Sequence, residues 1–133
     1  MKSPLRKLEN ELWQLCRKIV FKWFEKKSGG IDCYTCGAKN IEGQNRQLGH
    51  YFPKGALGAR MKYDLRILRP QCYNCNINRG GYGGMFREKM KQEIGEKQEQ
   101  ELFLECQASK GKPVKASDHY TAIKREYESV FDI

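Results

Sequence analysis

Two Cys-x-x-Cys pairs, Cys33-Tyr-Thr-Cys36 and Cys72-Tyr-Asn-Cys75, constrain this chain more than any other feature. Each pair sets two sulfurs on one side of a tight turn, and four thiolates complete a closed tetrahedral shell of the kind that holds structural zinc. Positions 37–71 separate the pairs, a longer stretch than in a minimal zinc ribbon, which leaves room for a hairpin. A thioredoxin-like redox pair is the rival for one Cys-x-x-Cys, but two pairs without a βαβ pattern argue against it. In a chain of 133 residues, 39% of them hydrophobic, such a site adds folding energy outright. A filled shell has no open position for chemistry, so this zinc is expected to be a staple. Cys16 lies on an apolar helical stripe and Cys106 has no cysteine nearby, so both are expected to fill core.

The net charge is +9, from 25 Lys and Arg against 16 Asp and Glu, and it is unevenly placed. Residues 46–92 carry ten basic and two acidic side chains, whereas residues 93–133 carry six basic and nine acidic. A block that basic favours a polyanionic partner, most often nucleic acid. Lys54, Arg60, Lys62, Arg66, Arg69, Arg79, Arg87 and Lys91 are the expected phosphate contacts, which set affinity more than sequence preference. The acidic last third reads as a separate packing or pairing surface. No apolar run approaches the roughly 18 residues that span a bilayer, so no membrane partner is expected. The N-terminus, MKSPLRKLENELW, lacks an apolar signal core, which points to the cytoplasm. Six cysteines in an unsecreted chain then favour metal thiolates over disulfides.

The element pattern predicts an α+β single domain, 1–133. Ser3-Pro4 forms an N-cap and first turn, and Leu5, Leu8, Leu12, Leu15, Cys16, Ile19 and Trp23 make an apolar stripe that stops near Ser28-Gly29-Gly30. Residues 1–29 are thus an N-terminal helix. Residues 46–51 suit a strand, 52–64 a loop, and Leu65-Arg66-Ile67 a second strand ended by Pro70. The run Gly80-Gly81-Tyr82-Gly83-Gly84 cannot hold a regular helix. Met85, Phe86, Met90 and Ile94 then fit a helix ending at Gly95. Residues 96–133 are a helical extension, with a stretch after Gln98 and a last helix capped by Ser117 or Asp118.

His50 sits between the cysteine pairs in Gly49-His50-Tyr51. By itself it reads equally as a strand histidine or a catalytic one, and four cysteines already fill a zinc shell. His119 follows a helix cap and is given no role. The order of parts is Cys-x-x-Cys, Gly-His in a hairpin, Cys-x-x-Cys-Asn, then a helix. With Arg60-Met-Lys-Tyr63-Asp64, Gln71-Cys72-Tyr-Asn-Cys75-Asn76 and Gly84-Met-Phe-Arg-Glu, it resembles the zinc-bound HNH, or His-Me finger, nucleases. It is most similar to the lambdoid-phage recombination endonucleases known as Rap or NinG, over about Trp13 to Gly95.

The resemblance implies a ββα-metal core over 31–95, flanked by helices. It implies that His50 is the general base and that Asn76 ligates a single divalent ion, Mg²⁺ or Mn²⁺, at the scissile phosphate. It implies a structure-selective endonuclease for branched DNA, such as Holliday junctions and D-loops, in phage recombination, working in the host cytoplasm. Such enzymes often act as homodimers. Many HNH sites carry Asp or His before the base, as a metal ligand, but here Gly49 has no side chain. Asn78 and Asp64, ahead of Asn74, are the candidates to supply the missing oxygen. The middle Asn of the motif aligns at Ile67, which removes a brace of the hairpin loop. Two other readings stand beside this one: a sequence-specific HNH endonuclease, and a noncatalytic zinc-stapled DNA-binding module.

Overall fold

The computed structural model describes residues 3–131 and mixes five α-helices with a two-stranded antiparallel sheet. Helix α1 runs Pro4–Phe24, and its first turn is closed by the Ser3 hydroxyl, which accepts from the Arg6 N–H at 3.1 Å. Leu12, Cys16, Ile19 and Val20 are its buried face. Trp23, expected on that face, is 54% exposed. The packed line of the helix continues instead from Val20 to Phe24, whose ring meets Tyr34 edge-on.

The hairpin forms, but its second strand lies three to four residues later than expected. Strand β1 is Gln47–His50 and strand β2 is Leu68–Gln71, in register Gln47↔Gln71 to His50↔Leu68. Leu65–Ile67 is a 3-10 turn, capped by the Asp64 carboxylate on the Arg66 N–H. Pro70 lies inside β2 rather than ending it. The Tyr51 N–H donates to the Ile67 carbonyl, so the bonded pairs fall on alternate positions and Pro70, opposite Leu48, is where no N–H is required. The expected loop 52–64 holds a short helix, α2, at Ala59–Lys62.

Helix α3 is Gly83–Ile94, so two glycines of the glycine run open it rather than preceding it. Gly95, at φ +90°, is the one-residue hinge to α4, Glu96–Ala108. Helix α5 is Ala116–Phe131 and takes Ser117 and Asp118 into its first turn instead of using them as caps. It packs along α1. One core unites the chain: Leu12, Leu48, Phe86, Leu102 and Tyr120 meet in it, from α1, β1, α3, α4 and α5. Cys16 and Cys106 are fully buried in it, as expected, and burial pushes both thiols up to about 12. A second, smaller cluster gathers Ile31, Cys33, Ile41, Cys72 and Cys75. No helix of the described residues is long and apolar enough to cross a membrane.

Candidate functional site

The four knuckle cysteines come together from the loop after α1 and the turn after β2. Their sulfurs all lie within 4.8 Å of one another, and Cys36 Sγ and Cys72 Sγ are 3.7 Å apart. Zinc–sulfur bonds of about 2.3 Å in a tetrahedron put sulfurs about 3.8 Å apart, so the donor set fits that ion. None of the four is in a disulfide. The Cys75 N–H reaches Cys72 Sγ at 3.5 Å, and the Thr35 hydroxyl lies 3.5 Å from Cys33 Sγ, the kind of outer contact that orients thiolate ligands. Four clustered cysteines can therefore hold a metal ion, and all four are the residues the spacing singled out.

The second knuckle leads into a single π-helical turn, Asn74–Asn78, a distortion that helices often place at functional sites. It presents Asn76 to a cleft of ≈ 400 Å³ whose walls also include His50, Lys54, Trp13, Gly80 and Gly81. Residues 50 and 76 thus share one cavity. The Asn76 amide donates Nδ2–H to Gln47 Oε1 at 2.7 Å, which leaves its Oδ1 unclaimed. His50 is held on two sides. Its ring stacks on Trp13 with centroids 5.3 Å apart and planes 6° from parallel, and its Nε2 lies 2.9 Å from the Lys62 carbonyl. A carbonyl only accepts, so Nε2 carries the proton and Nδ1 keeps the ring's lone pair. Burial pushes the imidazole down to about 4; the bond to the Lys62 carbonyl opposes this, and the Lys54 and Lys62 charges add to it.

Gly49 has a physical reason that spacing did not reveal. The Gln71 amide packs where a Gly49 side chain would begin, so even a Cβ would collide with it. Gln71 is fully buried and donates Nε2–H to both Thr35 Oγ1, at 3.0 Å, and the Gly81 carbonyl, at 2.8 Å. One side chain therefore ties the first knuckle to the cleft wall and fills the space beside Gly49. Trp13, Gln47 and Gln71 are the site residues that sequence reasoning missed. The one available signal was that Gln47 and Gln71 stand at matching ends of the two strands.

The other expected metal ligands are elsewhere. Asp64 chelates Arg66, with Nη2 at 2.7 Å, and faces a separate pocket beside His119 and Tyr127. Asn78 is exposed and donates to Asn74 Oδ1 at 3.1 Å. No residue lining the His50 cleft is Asp or Glu.

The eight expected phosphate contacts divide into two groups. Lys54, Arg60, Lys62 and Arg79 are in no ion pair among the described residues; Lys54 lines the cleft, and Arg79 stacks on Tyr82 at 4.4 Å. The other four are paired. Arg69 is only 6% exposed, bound to Glu93 through Nη2 at 3.0 Å and wedged against Phe24 and Tyr34. Arg87 lies 3.7 Å above the Phe103 ring and bonds buried Glu99 at 2.6 Å. Arg66 pairs with Asp64 and Glu105, and Lys91 with Glu88. The acidic last third is therefore not a separate surface: Glu93, Glu99 and Glu105 fold back on the basic block and neutralise part of it.

The fold and site define a mixed α+β protein in which four clustered cysteines that could hold a metal ion sit beside a cleft walled by His50, Lys54 and Asn76. Residues 2–131 match the family described as bacteriophage lambda NinG protein, and the chain belongs to that family. Comparison with curated proteins and with solved structures gave no match.

Proposed function

We propose that this protein is an HNH-type, His-Me finger endodeoxyribonuclease that hydrolyses phosphodiester bonds of branched DNA during phage recombination, with zinc in the four-cysteine centre. The observation that carries the reading is the shared cleft. His50 and Asn76, separated by most of the hairpin, wall one cavity beside the unpaired Lys54. A water in that cleft would lose its proton to His50 Nδ1, the only ring nitrogen with a lone pair, and the hydroxide formed would attack phosphorus as the P–O bond to the leaving oxygen breaks. Trp13 and the Lys62 carbonyl keep the imidazole in the required tautomer and orientation. Asn76 is the residue that would hold Mg²⁺ or Mn²⁺, through Oδ1, together with oxygens of the bound phosphate. The ion would supply charge to offset the developing negative phosphate.

The test is cleavage of a four-way junction and of its linear arms, with and without Mg²⁺ or Mn²⁺. Wild type is expected to cut the junction in a metal-dependent way, and His50→Ala to lose cleavage by at least 100-fold while keeping its zinc and its DNA binding. The His50 limb of the pH profile should lie near 4, with the base fully competent from about pH 5 upward. Cleavage by His50→Ala at the wild-type rate would refute the mechanism. The absence of a carboxylate from the cleft favours one other reading, a noncatalytic DNA-binding module. Salt-sensitive DNA binding by wild type with no scission in either metal would establish it. Equal cutting of linear arms at one sequence would identify a sequence-specific nuclease instead.

A further inference from the structure

We propose that a second groove, continuous with the His50 cleft, seats the phosphodiester strand flanking the reactive phosphate, with Arg17 and Arg46 as its phosphate contacts. The inference rests on the reading above that the cleft takes DNA. The groove, ≈ 500 Å³, shares three walls with the cleft, namely Trp13, Leu48 and Asn76. The two spaces therefore border one another. Arg17 comes from α1 and Arg46 from the residue before β1, and both cations settle on one ring, at 5.0 and 5.9 Å from the Phe21 centroid. Neither is in an ion pair among the described residues, in contrast to Arg66, Arg69, Arg87 and Lys91. Arg46 is further fixed by an Nε bond to the Ile41 carbonyl at 3.0 Å.

Two guanidiniums that pack on one ring and have no acidic partner among the described residues carry uncompensated positive charge for a phosphate to meet. An open groove that borders the cleft and carries two cations suits an extended nucleic-acid backbone better than a small isolated anion. Tyr73, 46% exposed, forms another wall, and its backbone N–H is fixed by Asn45 Oδ1 at 2.9 Å. Its free ring offers a stacking face to an unpaired base of the same strand. Arg17 lies outside the basic block of the central third, which is why charge counting along the chain passed it over.

The experiment measures binding of the full chain to a fluorescent single-stranded oligonucleotide and to a four-way junction in Ca²⁺, over a range of salt. Arg17→Ala/Arg46→Ala should lower the slope of log K against log salt by about 1.4 on the single strand, as two phosphate contacts are lost. Tyr73→Ala should weaken single-strand binding about five-fold or more with its slope unchanged. A control that removes the same charge outside both cavities, Lys27→Ala/Lys110→Ala, should leave the slope near the wild-type value. Circular dichroism of each variant should match wild type; should the double alanine variant fail to fold, Arg17→Gln/Arg46→Gln is read in its place. Wild-type slopes in the arginine variant, or an equal fall in the control, would overturn the inference. Absence of any DNA binding by wild type would instead remove the nuclease reading on which it rests.

Discussion

At the scale of the residue, Gly49 shows how a gap in a motif can be a filled place in the structure. No side chain fits there because the Gln71 amide packs against the backbone and holds Thr35 and Gly81 with its two N–H groups. Gly49→Ala is expected to cost about 1–3 kcal/mol, since an added methyl has to displace a fully buried side chain. In a Gln71→Ala background the same change should cost well under about 1 kcal/mol, the two sites being coupled through one contact. Urea unfolding of the four proteins measures this, and equal costs in both backgrounds would remove Gln71 as the reason for glycine. His50 and Asn76 were singled out by the order of motifs, and the two wall one cleft. Their orienting partners were not, because Trp13 and Gln47 reach them through space from α1 and from the opposite end of β1.

At the scale of the element, α3 and α4 are joined by charge as much as by apolar contact. Glu99 is fully buried; burial alone would raise its carboxyl, but Arg87 and the Tyr51 hydroxyl hold it below the usual carboxylate range. Glu99→Ala would take the carboxylate from Arg87 and Tyr51, leaving them only Gln100 Oε1 at 3.2 Å and the residue 99 carbonyl at 3.4 Å, and is expected to destabilise by about 1–3 kcal/mol. The depressed carboxyl contributes stability above its ordinary titration range and loses it as pH falls through the folded-state value. A thermal melt of the variant at neutral pH within a degree of wild type would contradict this role. The helices were largely readable from apolar spacing. Strand β2 was misplaced because local alternation at Leu65 and Ile67 mimics a strand, whereas pairing with β1 selects Leu68–Gln71.

At the scale of the whole molecule, the structure has two cores of unequal independence. The larger contains none of the four knuckle cysteines, whereas the smaller one is built on them, with Ile31 and Ile41 closing around them. Chelation of the bound metal is expected to raise amide hydrogen exchange at Cys33 and Ile41, whose N–H groups close the knuckle loop, well before exchange rises at Cys16 and Val20 in α1. Because Asn76 follows Cys75 directly, metal loss should also disorganise the cleft wall. Uniform exchange across both cores after chelation would show a single cooperative unit instead.

The sequence by itself determined the gathering of the four cysteines, the first helix and the presence of a hairpin, because those depend on residue type and spacing along the chain. Its charge count could not say which cations face solvent. That depended on tertiary placement: Glu93 at the end of α3 pairs with buried Arg69 and buried Glu99 of α4 pairs with half-buried Arg87, while Lys54 stays on the cleft. Charge pairing acts over a few ångströms of space, and these partners lie 24 and 12 residues apart in the chain. The same holds for Arg17 and Arg46, which only the packing of α1 against the hairpin brings to one ring.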